Sequence, residues 1–98
     1  MATEIDSAGV MARAILDAAD FRGARVLEIG TGDGRLTVQY SGVARSVVGI
    51  DINEADVWSA SRRFDSDQRA DVRFVCATAT ALPFSAERFE IVLLASSL

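Results

Sequence analysis

The sequence contains no histidine and no lysine, and all ten of its basic residues are arginines. Without these two residue types the chain cannot form a Ser-His-Asp or Cys-His nucleophile, a Schiff base or a histidine-ligated metal site. The P-loop pattern for phosphate binding is excluded as well, because it needs a lysine. We therefore predict no metal site, and the catalytic residues stay unknown.

Cysteine and long apolar runs are also scarce. The single cysteine, Cys76, cannot form an internal disulfide, which favours a reduced intracellular setting. It lies in the apolar run 72–77, so we expect it to be buried, as free cysteines usually are. No stretch approaches the ~20 apolar residues of a membrane-spanning helix, and the first twenty residues do not have the pattern of a signal peptide. These features predict a soluble, cytoplasmic protein without membrane contact.

The charge balance argues against nucleic acid as a partner. The chain has 14 acidic and 10 basic residues, a net charge of −4 and no basic cluster. Attraction to phosphates usually dominates nucleic-acid binding. We therefore predict no nucleic-acid partner.

The composition indicates one globular α/β domain over residues 1–98. Half of the residues are apolar and 24% are charged, as in ordinary globular proteins. Nearly unbroken apolar runs predict four strands, at 25–29, 46–51, 72–77 and 89–95. Helical patterns predict helices at 10–19, 35–44 and 57–64, the last capped by Asn53. This alternation is typical of a doubly wound parallel sheet with helices on both faces.

Two aromatic residues lie at helical spacing among apolar neighbours. Tyr40 and Trp58 could each serve as a stacking platform for a ligand, or each could pack into the core. We expect core packing for both.

A glycine-rich turn at residues 28–34, Glu-Ile-Gly-Thr-Gly-Asp-Gly, is the sharpest feature of the sequence. Alternate glycines between a strand and a helix let the backbone turn tightly and approach a ligand closely. The following helix N-terminus favours a carboxylate or phosphate. Glycines at such a turn can also serve packing alone. We favour ligand binding, because a glutamate, Glu28, leads into the turn.

Asp51 ends the second predicted strand, nineteen positions after Gly32. In a doubly wound sheet this position lies beside the glycine loop, in the cleft where ligands bind. A carboxylate there can accept the hydroxyl hydrogens of a ribose. The alternative role is to cap the helix that starts near Asn53. A nicotinamide dinucleotide is disfavoured, because its Gly-x-Gly-x-x-Gly pattern would need glycine where Arg35 stands.

Four motifs together resemble those of class I S-adenosylmethionine-dependent methyltransferases. They are Glu-x-Gly-x-Gly-x-Gly at 28–34, Val-Val-Gly-Ile-Asp at 47–51, Ala-Leu-Pro-Phe at 81–84 and Phe-Glu-Ile-Val at 89–92. The last two are most similar to the small-molecule branch that includes ubiquinone and menaquinone biosynthesis enzymes. The resemblance implies a Rossmann-like domain that binds S-adenosyl-L-methionine and transfers its methyl group to a small-molecule acceptor.

The resemblance also implies roles for individual residues. Glu28 and the backbone of Gly30, Thr31, Gly32 and Gly34 would face the methionine part of the cofactor. The carboxylate of Asp51 would hold the ribose hydroxyls, and Ile52 would lie against the adenine face. Thr78 and Ala79 would contact the adenine edge.

Two positions depart from the family pattern. Thr78 stands where family members commonly carry aspartate, so a hydrogen bond from the adenine amino group would lack charge assistance. Glu90 also replaces a common aspartate, and we interpret that position as structural.

The resemblance further implies the sheet order 3-2-1-4, counting the four predicted strands along the chain, in a domain truncated after the fourth strand. Strand 91–95 would then be an open apolar edge, which proteins usually cover. We therefore expect a homo-oligomer, or a partner that pairs with this edge. The alternative to an enzyme is a non-catalytic cofactor-binding module or remnant that interacts through the exposed fourth strand.

Overall fold

The computed structural model describes residues 2–5, 20–65 and 71–95. In this part of the chain the strands are β1 (Ala2–Ile5), β2 (Arg25–Ile29), β3 (Ser46–Asp51), β4 (Val72–Cys76) and β5 (Ile91–Ala95). The α-helices are α1 (Arg35–Tyr40) and α2 (Glu54–Asp65), and a turn of 3-10 helix at Ala86–Arg88 precedes β5. All strand pairs are parallel, in the order β1-β5-β2-β3-β4.

The four predicted strands are confirmed, each to within two residues at its ends. Their order in the sheet, 3-2-1-4, is confirmed as well. The predicted helix at 35–44 is shorter, since α1 ends at Tyr40 and turns follow it. The predicted helix at 10–19 lies outside the described residues.

The prediction of an open edge at 91–95 is wrong. Strand β1 pairs in parallel with β5 from Ala2 opposite Val92 to Ile5 opposite Ala95. Both edges of β5 are thus hydrogen-bonded, one to β1 and the other to β2. Pairing of a partner through β5 is therefore excluded in this structure, and the reason given for a homo-oligomer no longer holds.

Both α-helices lie on one face of the sheet. Strand residues that share this face form the core with α1: Val26, Val47 and Leu93 are almost inaccessible, and Tyr40 packs among them. The ring of Tyr40 stacks on that of Phe21 with centroids 4.6 Å apart. The core position predicted for Tyr40 is confirmed.

Helix α2 begins at the predicted cap. The Asn53 side chain accepts the backbone N–H of Asp56 at 3.1 Å, which satisfies one of the free donors of the first turn. Among the described side chains of this helix, those of Ala60 and Phe64 are buried, and the Phe64 ring lies 5.3 Å from that of Phe74 on β4.

Trp58 does not pack into the core, so that prediction is wrong. Its side chain is 62% exposed on the outer side of α2. The guanidinium of Arg62 lies 4.7 Å from the ring centroid, a cation–π contact that an i, i+4 spacing allows.

The segment between β4 and β5 crosses the other face of the sheet. It brings the ring of Phe84 against that of Phe89, edge to face at 5.5 Å. These rings and the side chains of Val48 and Val75 line an open groove on this face. This segment contributes a 3-10 turn, and no described α-helix lies on this side.

Glu90 and Arg25 join the amino ends of β5 and β2. The Glu90 carboxylate accepts the Arg25 backbone N–H and its Nε–H, both at 2.8 Å. The Arg25 guanidinium holds the pKa of Glu90 down, at about 2. This ion pair supports the structural interpretation of Glu90.

None of the described helices has the length and apolar character needed to cross a membrane.

Candidate cofactor-binding site

The glycine loop turns at the carboxyl end of β2 and is bonded to the carboxyl end of β3. Gly30, Gly32 and Gly34 have φ angles of 79°, 56° and 88°, which lie in the left-handed region that side chains disfavour. The backbone N–H groups of Gly30 and Thr31 both donate to the carbonyl of Ile50, at 2.9 and 3.0 Å. The loop therefore has a defined conformation fixed by β3.

The loop glycines meet different surroundings. A Cβ atom on Gly30 would lie 2.6 Å from the backbone oxygen of Ala95, so β5 packs directly against the loop. A Cβ atom on Gly32 would meet no atom within 4 Å. Packing thus requires a glycine at position 30, whereas position 32 faces open space where a ligand could lie against the backbone.

Asp51 lies at the loop, as its spacing predicted. Its Oδ2 accepts the backbone N–H of Gly32 at 2.9 Å. Its Oδ1 accepts the backbone N–H of Asn53, also at 2.9 Å. The carboxylate therefore bridges the glycine loop and the start of α2. Each oxygen keeps a further lone pair, so the group can still accept hydroxyl hydrogens from a ligand.

The other predicted contact residues follow the ends of β3 and β4. Ile52 is 72% exposed, an apolar surface that could pack against a planar ring. The backbone N–H of Ala77 donates to the Asp51 carbonyl at 3.1 Å, which brings the exposed residues Thr78 and Ala79 to the same edge of the sheet. The structure thus gathers the loop, Asp51, Ile52 and the 78–79 segment at one edge.

Cys76 is exposed, so the prediction that it is buried is wrong. It is the last residue of β4, opposite Asp51 on β3, and its Sγ lies 3.6 Å from the carbonyl oxygen of Ile52. An apolar run predicts a strand but does not predict that its final side chain is covered. Cys76 thereby belongs to the rim of the candidate site.

Glu28 lies beneath the loop and is fully buried. Its Oε1 accepts the hydroxyl of Tyr40 at 2.5 Å and that of Thr37 at 3.0 Å, both from α1. Its Oε2 is buried without a hydrogen-bond donor among the described residues. A buried acceptor of this kind calls for a donor from a water or a ligand.

Burial raises the pKa of Glu28, and the hydroxyls of Tyr40, Thr31 and Thr37 oppose that rise. Burial and the adjacent Glu28 carboxylate raise the pKa of Tyr40 well above its usual value. Sequence reasoning missed the roles of Thr37 and Tyr40. The one available signal was that a buried tyrosine hydroxyl needs a polar partner.

The described side chains contain no group of three or more His, Cys, Asp or Glu residues arranged to hold a metal ion.

At the tip of the loop, Asp33 pairs with Arg35 at 3.1 Å and with Arg63 of α2 at 3.6 Å. The candidate site thus consists of the backbone of the glycine loop, the carboxylate of Asp51 and an apolar rim.

Residues 26–98 match the sequence family described as "Methyltransferase domain". The chain belongs to this family. The match covers β2 to β5, with the glycine loop and Asp51, and confirms the S-adenosylmethionine-dependent methyltransferase family predicted from the four motifs.

Individual relatives agree with this assignment. The chain is 38% identical over 81 residues to the ubiquinone/menaquinone biosynthesis C-methyltransferase UbiE of Azotobacter vinelandii, covering 79% of this chain and 32% of that protein. The solved structure of YcgJ from Bacillus subtilis is 30% identical, with a TM-score of 0.78, covering 85% of this chain and 36% of that one. The chain therefore spans about a third of the length of these two proteins.

A more distant structure shares the fold. Phosphoethanolamine N-methyltransferase 1 of Haemonchus contortus, solved with phosphoethanolamine and S-adenosylhomocysteine, is 21% identical with a TM-score of 0.74. The superposition covers 85% of this chain and 18% of that one.

Proposed function

We propose that this chain is the cofactor-binding part of an S-adenosylmethionine-dependent methyltransferase that acts on a small molecule. The observation that carries the proposal is the bond between Asp51 and Gly32, which places a carboxylate with free acceptor positions beside an open glycine. The fold neighbour solved with S-adenosylhomocysteine and the family itself support the same cofactor.

The residues present fit this cofactor. The open space at Gly32 can receive its methionine part along the loop backbone, from Gly30 and Thr31 to Gly34. The unpartnered Oε2 of Glu28 offers an acceptor below the loop. Asp51 would hold the ribose hydroxyls.

The adenine would lie at the rim of the site. Ile52 offers its exposed apolar side chain to one ring face. Thr78 and Ala79 would meet the ring edge, where the Thr78 hydroxyl already contacts that of Thr80 at 3.2 Å.

The bound cofactor supplies a methyl group on a sulfonium sulfur. The chain's own residues bind and orient it, and orientation alone can supply much of the rate of an in-line displacement. No described side chain of the site is assigned a proton transfer. We propose a quinone-like acceptor as the first to test, because the relative UbiE is named for ubiquinone and menaquinone biosynthesis. A cytoplasmic setting remains a prediction.

Calorimetric titration of the 98-residue chain with S-adenosylhomocysteine tests the proposal, with NAD⁺, which the glycine spacing disfavours, as the control. Transfer of a labelled methyl group from S-adenosylmethionine is then followed with quinone-like and amine acceptors. Binding followed by transfer is the expected result.

Two other outcomes have clear meanings. Binding without transfer to any acceptor would favour the alternative of a non-catalytic module. That alternative has lost its interaction surface, since β1 covers the fourth predicted strand. The absence of any binding would overturn both functions.

A further inference from the structure

A chain of hydrogen bonds links the glycine loop to the buried carboxylate of Glu28 below it. The Thr37 hydroxyl of α1 donates to Glu28 Oε1 at 3.0 Å. Thr37 and Thr31 hydroxyl oxygens lie 3.2 Å apart. Either hydroxyl can donate in this pair, and in both cases the bond ties the side chain of the loop residue Thr31 to α1.

No solvent reaches the three hydrogen-bonded residues to replace a partner that is lost. Thr31, Thr37 and Glu28 are all buried. Water cannot readily compensate a broken bond at such a place, so the cost of removing one hydroxyl is the cost of an unpaired buried group. Oε2 of Glu28 already lacks a donor among the described residues, so the contacts of this carboxylate depend on its other oxygen.

The position of the Thr31 side chain is also sterically defined. A Cβ atom on Gly49 would lie 2.7 Å from Thr31 Oγ1 and equally close to the Phe74 ring. The hydroxyl therefore occupies space left by the missing side chain of Gly49. Rotation of Thr31 out of this space would break its bond to Thr37.

In the described part of the chain, the other hydrogen bonds from outside the loop to residues 30–32 come from β3. They are the backbone bonds to the Ile50 carbonyl and the bond from Gly32 to Asp51. Thr37 supplies a separate anchor from α1. Without it, the hydrogen bonds from outside the loop to residues 30–32 would all come from β3, and the loop could shift relative to the ligand.

We propose that Thr37 is a positioning residue for the cofactor loop, acting through Thr31 rather than by touching the ligand. The inference rests on the proposed function. Its consequence is that removal of the Thr37 hydroxyl loosens residues 31–34 and weakens cofactor binding, although position 37 is wholly buried.

The test compares Thr37→Val, which removes the hydroxyl at nearly constant shape, with Thr37→Ser, which retains it. Ile91→Val, a buried change at the start of β5, is the control for general destabilisation. Amide hydrogen exchange of residues 31–34 and the Kd for S-adenosylhomocysteine are measured for each. We expect Thr37→Val to raise both the exchange rates and the Kd by about tenfold. Thr37→Ser should stay near wild type, and Ile91→Val should change neither beyond its effect on global unfolding.

A double-mutant cycle separates a path through Thr31 from an independent effect. If Thr37 acts through Thr31, Thr37→Val adds nothing to Thr31→Val. Additive effects, or wild-type exchange and Kd in Thr37→Val, would overturn the inference. If the wild-type chain does not bind S-adenosylhomocysteine, the proposed function fails, while the amide exchange still decides the role of Thr37.

Discussion

The backbone N–H of Gly32 donates to the carboxylate of Asp51 at 2.9 Å. The same carboxylate accepts the N–H of Asn53, the residue that caps α2. Asp51 therefore does not cap α2 itself. It holds the capping residue Asn53, and its oxygens can still accept from a ligand. The carboxyl ends of adjacent parallel strands meet at one edge, so β2 and β3 bring these groups together without any long-range adjustment.

Replacement of Asp51 by alanine should weaken cofactor binding by about 1–3 kcal/mol, the cost of losing a charged hydrogen-bond partner. Calorimetry with S-adenosylhomocysteine measures the change. Asn53→Ala is the matched control, because it removes the cap of α2 and leaves the carboxylate in place. Unchanged affinity in Asp51→Ala would remove this residue from the site.

Alanine at the loop glycines should separate stability from binding. Gly30→Ala places a Cβ 2.6 Å from the Ala95 oxygen, and we expect a loss of more than about 2 kcal/mol of unfolding free energy. Gly32→Ala meets no neighbour and should cost only about 1–2 kcal/mol, for its left-handed backbone. Its Cβ projects into the open space, so its Kd for S-adenosylhomocysteine should rise by about tenfold.

Urea unfolding and calorimetry together test this contrast. Equal losses of stability in the two variants would contradict the close packing of β5 on the loop. An unchanged Kd in Gly32→Ala would mean that the ligand does not approach the loop at that position.

The strands could be predicted because their signals are local, whereas their order was implied by the resemblance to class I methyltransferases. Each strand is an apolar run bounded by polar residues or glycines. The glycine loop and Asp51 follow directly from the ends of two such runs. The position of these groups was thus set once β2 and β3 were recognised as neighbours.

The features that were missed depend on tertiary contacts. Strand β1 has four residues and forms by pairing with β5. The composition of these four residues does not predict this pairing. The exposure of Cys76 and Trp58 depends on which elements cover the end of β4 and the outer side of α2. The bond between Tyr40 and Glu28 joins residues twelve positions apart through the packing of α1, which no short motif encodes.

Cys76 should react with iodoacetamide in the folded chain at a rate within about tenfold of that in urea, because an exposed thiol is accessible without unfolding. Mass spectrometry of the alkylated protein follows the reaction, with Cys76→Ser as the unlabelled control. S-adenosylhomocysteine should slow the labelling in proportion to its occupancy. Labelling only after unfolding would contradict the exposed position at the rim of the site.

The ion pair of Glu90 with Arg25 should make stability depend on acid pH. Arg25 holds the pKa of Glu90 at about 2, below its usual value of 4.5. The folded state therefore binds this proton less tightly than the unfolded state. The contribution is present above pH 4.5 and is lost as the pH falls toward 2. In urea unfolding, the stability difference between wild type and Glu90→Gln should shrink across this window, and added salt should reduce it. A difference that stays constant with pH would contradict the pairing.

Glu28 should produce the opposite pH dependence, because burial raises its pKa above the value of 4.5 expected when unfolded. The folded state then binds the proton more tightly than the unfolded state. The stabilising contribution is full below pH 4.5 and is lost as the pH rises through the folded pKa.

The variant Glu28→Gln cannot titrate and keeps a side-chain oxygen that can accept hydrogen bonds from Tyr40 and Thr37. Its unfolding free energy relative to wild type should therefore increase with pH above 4.5, by at most about 1.4 kcal/mol per pH unit. Urea unfolding from pH 4 to 8 measures this slope. Glu90→Gln is the carboxylate control, and its stability relative to wild type should not change with pH except near pH 4. A flat difference for Glu28→Gln would mean that Glu28 has the same proton affinity folded and unfolded, contrary to its burial beneath the loop.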